Sequence, residues 1–254
     1  MFAQERWNAL LDLLRRRGRL SVRQVEQAIG ASPATVRRDL AALARAGELV
    51  RTHGGVVHPS ALRGEPVFQK RARVAVAAKD RIGQRAADEV PPNAVVFIDA
   101  GTTTLALARR LVARRDVRLF TNSLPVLLLA HDDGAAVCVP GGQVRPPSQS
   151  LVGGLALDWL PRLRFDLAFL GASGLDPREG PSATSIEETA LKQAAIRRSR
   201  RKVLLADASK WDRPAAFGFA SWADLDLWIT DRRVSPSQRR AMSAPRLQII
   251  EVRP

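Results

Sequence analysis

The stretch SVRQVEQAIGASPATVRRDLAALARAGELVRTHGGVV, residues 21–57, decides how the first part of this chain folds. Ser21 and Gln24 stand at the spacing of a capping box, in which each side chain accepts the other's backbone N–H. Behind them Val22, Val25 and Ile29 recur on one helical face, and Gly30 offers a stop. Ser32 can cap a second helix, with Pro33 at its first position, where a missing N–H costs nothing. Val36, Leu40 and Leu43 follow at i, i+4 and i+7 and predict its buried face, ended by Gly47. At about 100° per residue, Arg38 lies nearly opposite that face. Arg37 and Thr35 flank it, and Ala34 and Ala41 leave the outer surface smooth.

Two short helices joined by a tight turn, the second with a polar outer half, make a helix-turn-helix whose second helix would enter the major groove. Arginine reads guanine edges or grips phosphate, and threonine does either or touches a thymine methyl. Downstream, Leu49, Val50 and Arg51 and then Val56 and Val57 are strand-like around His53, Gly54 and Gly55, which supply a turn. That predicts a wing with Arg51 and His53 near the phosphate backbone. The expected DNA contacts are Ser32, Thr35, Arg37, Arg38, Arg51 and His53. Upstream, Trp7, Leu10, Leu11 and Leu14 predict a first helix to about Arg17, stopped at Gly18. The whole segment resembles the DNA-binding signature of DeoR-family bacterial transcriptional regulators. Its TVRRDL core (35–40) and closing RTHGG (51–55) carry the likeness.

The formal net charge of +15 over 254 residues favours polyanionic partners or anionic ligands, although an arginine-rich surface alone would give the same sum. Cys138 is the only cysteine, so neither an intramolecular disulfide nor a cysteine metal cluster can form. The first residues lack the basic-then-apolar order of a signal peptide, and runs such as PVLLLA are too short to span a bilayer. The expectation is a cytoplasmic protein with no membrane contact, no metal and no cofactor.

After HPSALRGEPVFQKRARV, broken by Pro59, Gly64 and Pro66 and charged at Lys70, Arg71 and Arg73, apolar runs alternate with helical segments. The runs are AVVFID, VRLFTN, AAVCVPGG, FDLAFLGASG, KVLLADASK, LDLWITD and LQIIEV. Helices are predicted over about 104–113, 154–160 and 187–199, with SLPVLLLAH as a further helical segment. Nearly unbroken apolar strands between helices predict a mostly parallel sheet covered on both faces. The expected fold class is therefore α/β, a small N-terminal winged helix-turn-helix joined to a larger mostly parallel-sheet α/β domain. The boundaries expected are 1–58 for DNA binding, 59–75 for a solvated linker and 76–254 for the α/β domain.

Small and polar residues gather just after several of these strands, the edge where open α/β sheets bind ligands. DAGTTT (99–104) is the sharpest case. Gly101 would let a ligand approach the backbone. Thr102, Thr103 and Thr104 offer hydroxyls at a helix start whose N–H groups attract an anion, unless they merely cap the helix. Lys210 supplies a charge suited to phosphate. Neither G-x-G-x-x-G nor the Walker spacing occurs, which argues against a dinucleotide or a nucleoside triphosphate.

These loops also resemble the DeoR-family effector domain, which shares its fold with ribose-5-phosphate isomerase and glucosamine-6-phosphate deaminase. The likeness runs through Phe68, Arg71 and Lys79, then DAGTT (99–103), TNS (121–123), PGG (140–142), DLAFLG (166–171), Lys192 and DASK (207–210). The proline-rich QVRPPSQSLVGG (143–154) departs from it. The resemblance implies that Gly101, Thr102, Thr103, Thr104 and Lys210 hold phosphate, while Asp99, Asn122, Gly171 and Lys192 line the sugar site. An isomerase needs a carboxylate or histidine poised beside a carbonyl. The loop after FDLAFLG has no acid before Asp176; Glu187 and Glu188 remain as candidate bases, though at a helix start such acids more often serve as dipole and capping partners. The expectation is a non-enzymatic, sequence-specific regulator, a repressor of carbohydrate genes released from double-stranded operator DNA by a phosphorylated sugar. It would act as a homo-oligomer, dimer or tetramer. The alternatives are an isomerase- or deaminase-like enzyme with an accessory DNA-binding domain, and an architectural DNA binder driven by charge.

Overall fold

The computed structural model describes residues 3–17, 19–46, 48–52, 55–57 and 66–253. The chain divides into two compact units, Met1–Glu65 and Pro66–Pro254. In the first, α1 (Ala3–Arg17), α2 (Val22–Ile29) and α3 (Pro33–Arg45) accompany three short strands, β1 (Arg19–Ser21), β2 (Val50–Thr52) and β3 (Gly55–Val57). The local signals act as their chemistry requires. Ser21 Oγ accepts from Gln24 N at 3.2 Å, and Gln24 Oε1 accepts from Ser21 N at 2.9 Å. Gly30 ends α2 in the left-handed region at φ 58°, where glycine alone carries no Cβ penalty. The helices bury Leu10, Leu14, Val25, Ile29, Val36, Leu40 and Leu43 together with Leu20, Leu49 and Val56. β2 and β3 form the antiparallel wing, and β1 pairs with β3 as a third strand that the sequence pattern did not indicate. α3 ends at Arg45, capped at Ala46, and the expected stop at Gly47 lies outside the described residues.

The second unit starts at Pro66, so the linker expected over 59–75 is, from that residue on, part of the larger unit. Phe68 on α4 (Phe68–Ala72) is buried against Ile82 and Leu105. Then follow α5 (Val76–Ala87), β4 (Val95–Ile98), α6 (Thr102–Leu111), β5 (Arg118–Thr121), α7 (Leu124–Leu127) and β6 (Ala136–Cys138). A hairpin, β7 (Gln143–Arg145) with β8 (Ser150–Val152), occupies the proline-rich stretch. Next come α8 (Gly154–Trp159), β9 (Phe165–Gly171), β10 (Gly174–Asp176), β11 (Gly180–Ala183), α9 (Ile186–Arg197), β12 (Ser199–Leu205) and β13 (Phe217–Gly218). β14 (Leu227–Thr230), α10 (Pro236–Ala241) and β15 (Gln248–Glu251) complete the unit.

Seven strands form one parallel sheet in the order β15-β14-β12-β9-β4-β5-β6. Successive residues serve opposite faces. Val96, Ile98, Leu167, Phe169, Val203 and Leu205 pack with α5 and α6, while Phe97, Ala168, Leu170, Leu204 and Trp228 pack with α9. Burial on both faces explains why the strands read as unbroken apolar runs. The order runs outward from β4 through β5 to β6, and from β9 through β12 and β14 to β15. The reversal between β4 and β9 is the topological switch point, where ligands of such sheets bind. Of the expected SLPVLLLAH helix only residues 124–127 are helical, and Leu128 is exposed.

Candidate nucleic-acid interface and anion cleft

The outer face of α3 carries the residues expected there. Ser32 Oγ accepts from Thr35 N at 3.3 Å and lies 3.0 Å from Thr35 Oγ1, so both residues build the cap. Arg37 and Arg38 are exposed, and Arg37 Nε donates back to Pro33 O at 3.3 Å. Arg51 is exposed on β2, whereas His53 lies outside the described residues. One residue escaped the sequence reading: Asp39, buried on the inner side of α3, accepts from Arg6 Nε at 2.9 Å and Arg6 Nη2 at 3.3 Å. Burial pushes its carboxyl upward, but the hydrogen bonds from Arg6 and the charges of Arg6 and Arg38 outweigh this and hold it below the usual range. That pair fixes α1 against α3 and leaves Arg38 outside.

In the larger unit a cleft opens beside the switch point. Gly101, Thr102 and Thr103 form one wall, Gly171, Ala172 and Ser173 a second, and Lys192, Lys210, Glu188 and Arg71 close it. The space open to the centre of a water-sized sphere is about 20 Å³, room for about one water. The threonines do not cap α6. Its N-cap, Gly101, makes no side-chain cap bond, and Thr104 Oγ1 donates to Gly101 O at 3.0 Å. Gly101 itself is extended, at φ 178°, and a Cβ there would sit 3.1 Å from Thr104 Oγ1.

Asp99, Thr104 and Asn122, expected on the wall, stand behind it. Asp99 at the end of β4 is buried, accepts from Gly171 N at 2.9 Å and is ion-paired with Lys192 Nζ. Lys192 also donates to Gly171 O at 3.1 Å and lies over the Phe219 ring. Burial drives the Asp99 carboxyl above its usual range. The Lys192 ammonium and the Gly171 N–H oppose that, and Glu188 adds to it. Asn122 Oδ1 accepts from Ala100 N at 3.0 Å, so it braces the loop from beneath, and its buried Nδ2 finds no protein partner.

Two further residues line the cleft that the sequence offers only as a helix-start acid and as connector charge. Glu188 accepts from Ser150 Oγ at 3.1 Å and lies 3.7 Å from Arg145 Nη1, which ties the β7–β8 hairpin to α9. Arg71 comes from the charged stretch that reads as connector. Next to it Lys79 is buried and donates to Arg71 O at 2.6 Å and Val74 O at 2.7 Å. Burial lowers the Lys79 ammonium; Asp207 works against this, while Lys210 and Arg71 add to it. Among the described residues no group of three or more His, Cys, Asp or Glu side chains could hold a metal, and no helix is long and apolar enough to cross a membrane.

Comparison with known proteins fits both units. Residues 6–61 match the DeoR-like helix-turn-helix domain, and residues 74–232 match the DeoR C terminal sensor domain. The transcriptional regulator GlpR of Haloferax volcanii is 31% identical over 251 residues, covering 99% of this chain and 98% of the relative. The glycerol-3-phosphate regulon repressor of Escherichia coli K12 is 30% identical over 247 residues, covering 96% of this chain and 97% of the relative. Among solved structures, ribose 5-phosphate isomerase A from Methanocaldococcus jannaschii is similar over 52% of this chain and 53% of its own, at 18% identity and a TM-score of 0.39. A winged helix-turn-helix followed by a sensor domain, matched along nearly the whole length of both regulators, places this chain in the DeoR family of transcriptional regulators.

Proposed function

We propose that the protein represses carbohydrate-metabolism genes and leaves its operator when a phosphorylated sugar or polyol occupies the cleft. The observation that carries this reading is the start of α6. Its first N–H groups lack a side-chain cap and face a cleft that also takes Lys210 and Arg71. Backbone N–H groups at a helix start together with two cations suit a phosphate. The names of the two regulators support the class, since one refers to the regulon of a phosphorylated polyol. The acids near the cleft are engaged, Asp99 with Lys192 and Glu188 with Ser150, which supports binding rather than proton transfer. A dimer would set two α3 helices on paired half-sites.

Calorimetry with glycerol 3-phosphate, sugar phosphates and their unphosphorylated parents tests the proposal. The phosphorylated forms are expected to bind, and equal affinity for the parents would remove phosphate from the reading. Thr102→Val together with Lys210→Ala is expected to keep operator affinity and lose the response, where the intact chain weakens about 5–150-fold on ligand binding. On the DNA side, Arg38→Ala should cost about 1–3 kcal/mol on the operator and relax preference at one base pair. Arg51→Ala should weaken operator and scrambled DNA alike and flatten the salt dependence. Binding to both DNAs over a salt series distinguishes these results, and an unchanged operator affinity for Arg38→Ala would exclude α3 as the reading helix.

A further inference from the structure

We propose that Arg71 is the ligand-contacting residue that converts an anion in the cleft into a displacement of α4, the first element of the sensor unit. This rests on the sugar-phosphate reading of the cleft and adds to it the residue that transmits the signal.

Four observations converge on α4. It begins at Phe68, two residues after the sensor unit starts at Pro66, so the chain arriving from the DNA-binding unit runs directly into it. Its Arg71 lines the cleft together with the start of α6 and Lys210. It is held at both ends. Phe68 N donates to Pro147 O at 2.8 Å in the β7–β8 turn, and Lys79 Nζ takes the carbonyls of Arg71 and Val74. A five-residue helix has no stability of its own, so these tethers and the burial of Phe68 define where it sits.

The cleft as it stands has room for about one water, far less than a sugar phosphate needs. A wall must yield when the ligand enters. The walls at residues 101–103 and 171–173 are fixed by the sheet behind them, with Asp99 N bonded to Phe169 O at 3.0 Å and Asp99 itself bonded to Gly171 N. α4 lies outside that sheet and reaches the core through Phe68 and Ala72. Electrostatics gives the movement its direction. Arg71 and Lys210 both lie close enough to Lys79 to disfavour its charge, with Asp207 opposing them. An anion between Arg71 and Lys210 draws Arg71 onto itself in a charge-assisted contact. Arg71 belongs to this helix of little more than one turn, so a pull on its side chain acts on the helix and on Pro66 two residues before it, against the anchor that Lys79 provides. Only a ligand that binds the two placements of α4 differently can shift their balance, and Arg71 supplies that difference.

The test uses the full chain, as wild type and Arg71→Gln, titrated by calorimetry with glycerol 3-phosphate, the sugar phosphates above and inorganic phosphate. Amide exchange of the peptide covering residues 66–75 is then followed with and without the tightest of them at saturation. In wild type, exchange over this peptide is expected to slow about fivefold or more on binding. Arg71→Gln is expected to bind about 10–100-fold more weakly, the loss of a charge-assisted contact. When saturated at higher concentration the variant should show neither slowed exchange nor a weakened operator complex. Slowing of the same size in saturated Arg71→Gln, or unchanged exchange over 66–75 in saturated wild type, would overturn the role of Arg71 and leave the sugar-phosphate reading standing. If wild type binds none of these compounds, that reading falls and this proposal falls with it.

Discussion

Lys192→Met is expected to destabilise the sensor unit by about 3–5 kcal/mol, the cost of leaving a buried charge without its partner. The Asp99 carboxylate would retain only the Gly171 N–H, or would have to take up a proton. The double variant Asp99→Asn/Lys192→Met is expected to recover most of that loss, since an asparagine side chain can still accept the Gly171 N–H without carrying a charge. The sign of the Asp99 shift supports this. A carboxyl raised above its unfolded value contributes stability below the unfolded pKa and gives it up as pH climbs through the folded value. On the Asp99 side ionisation is therefore a cost at neutral pH, which suits a pair kept for its place beside the cleft. Urea unfolding followed by tryptophan fluorescence reports mainly this unit, because Trp159, Trp211, Trp222 and Trp228 belong to it and only Trp7 to the other. A single variant with the wild-type midpoint would contradict the argument. Both variants should lose the ligand response, whatever their stability.

Gly174→Ala is expected to cost about 3 kcal/mol, the upper part of the range for overpacking, and to weaken phosphate binding as well. A Cβ at Gly174 would lie 1.8 Å from Arg213 O and 2.8 Å from Arg213 C, both backbone atoms with no rotamer to escape into. The segment it would push is laced to this small sheet, with Arg213 N bonded to Leu175 O at 3.2 Å and Ala215 N to Ser182 Oγ at 2.8 Å. Lys210 stands three residues before Arg213 on the same segment, so moving one displaces the other. Gly218→Ala is the control, for its Cβ would meet nothing within 4 Å. It should leave melting temperature and phosphate affinity within experimental error, while Gly174→Ala lowers both. Similar behaviour of the two variants would exclude a role for the close approach.

Signals confined to a few adjacent residues were legible in the sequence. Both caps of the DNA-reading module, at Ser21 and Ser32, are local contacts, and the apolar strands declare themselves because both faces are buried. The loop residues of the cleft were legible for a related reason, since a parallel sheet collects the ends of its strands at one edge. Partnerships across long sequence distances were not. Asp39 reads as one more polar helix residue until Arg6 is seen beside it. Arg71 reads as connector charge, and Lys79 shows no role beyond the family likeness, because the carbonyls and cleft they serve exist only after folding. Asp99 was expected on the wall, but Lys192, ninety-three residues away, reaches in front of it. β10, β11 and β13 were missed because short strands rich in glycine, proline and serine carry no periodicity. β12 begins at Ser199, before its apolar run. Its basic start is paired outward, with Arg201 against Glu89 at 2.7 Å and Lys202 against Asp226 at 2.9 Å.

The cleft draws on residues from Arg71 to Lys210, whereas the core of the DNA-reading unit is complete by Val56. On a ribosome these two facts separate in time. Domains fold as units from the N-terminus at about 5–20 residues per second, so roughly 8–30 s of translation lie between the emergence of the wing and that of Lys210. During that interval a nascent chain can present a finished recognition helix while its receptor for the metabolite does not yet exist. Newly made molecules start out deaf to the signal. On the function proposed above, a message cut short after β9 would encode a chain that keeps the recognition helix and lacks Lys192 and Lys210 of the cleft.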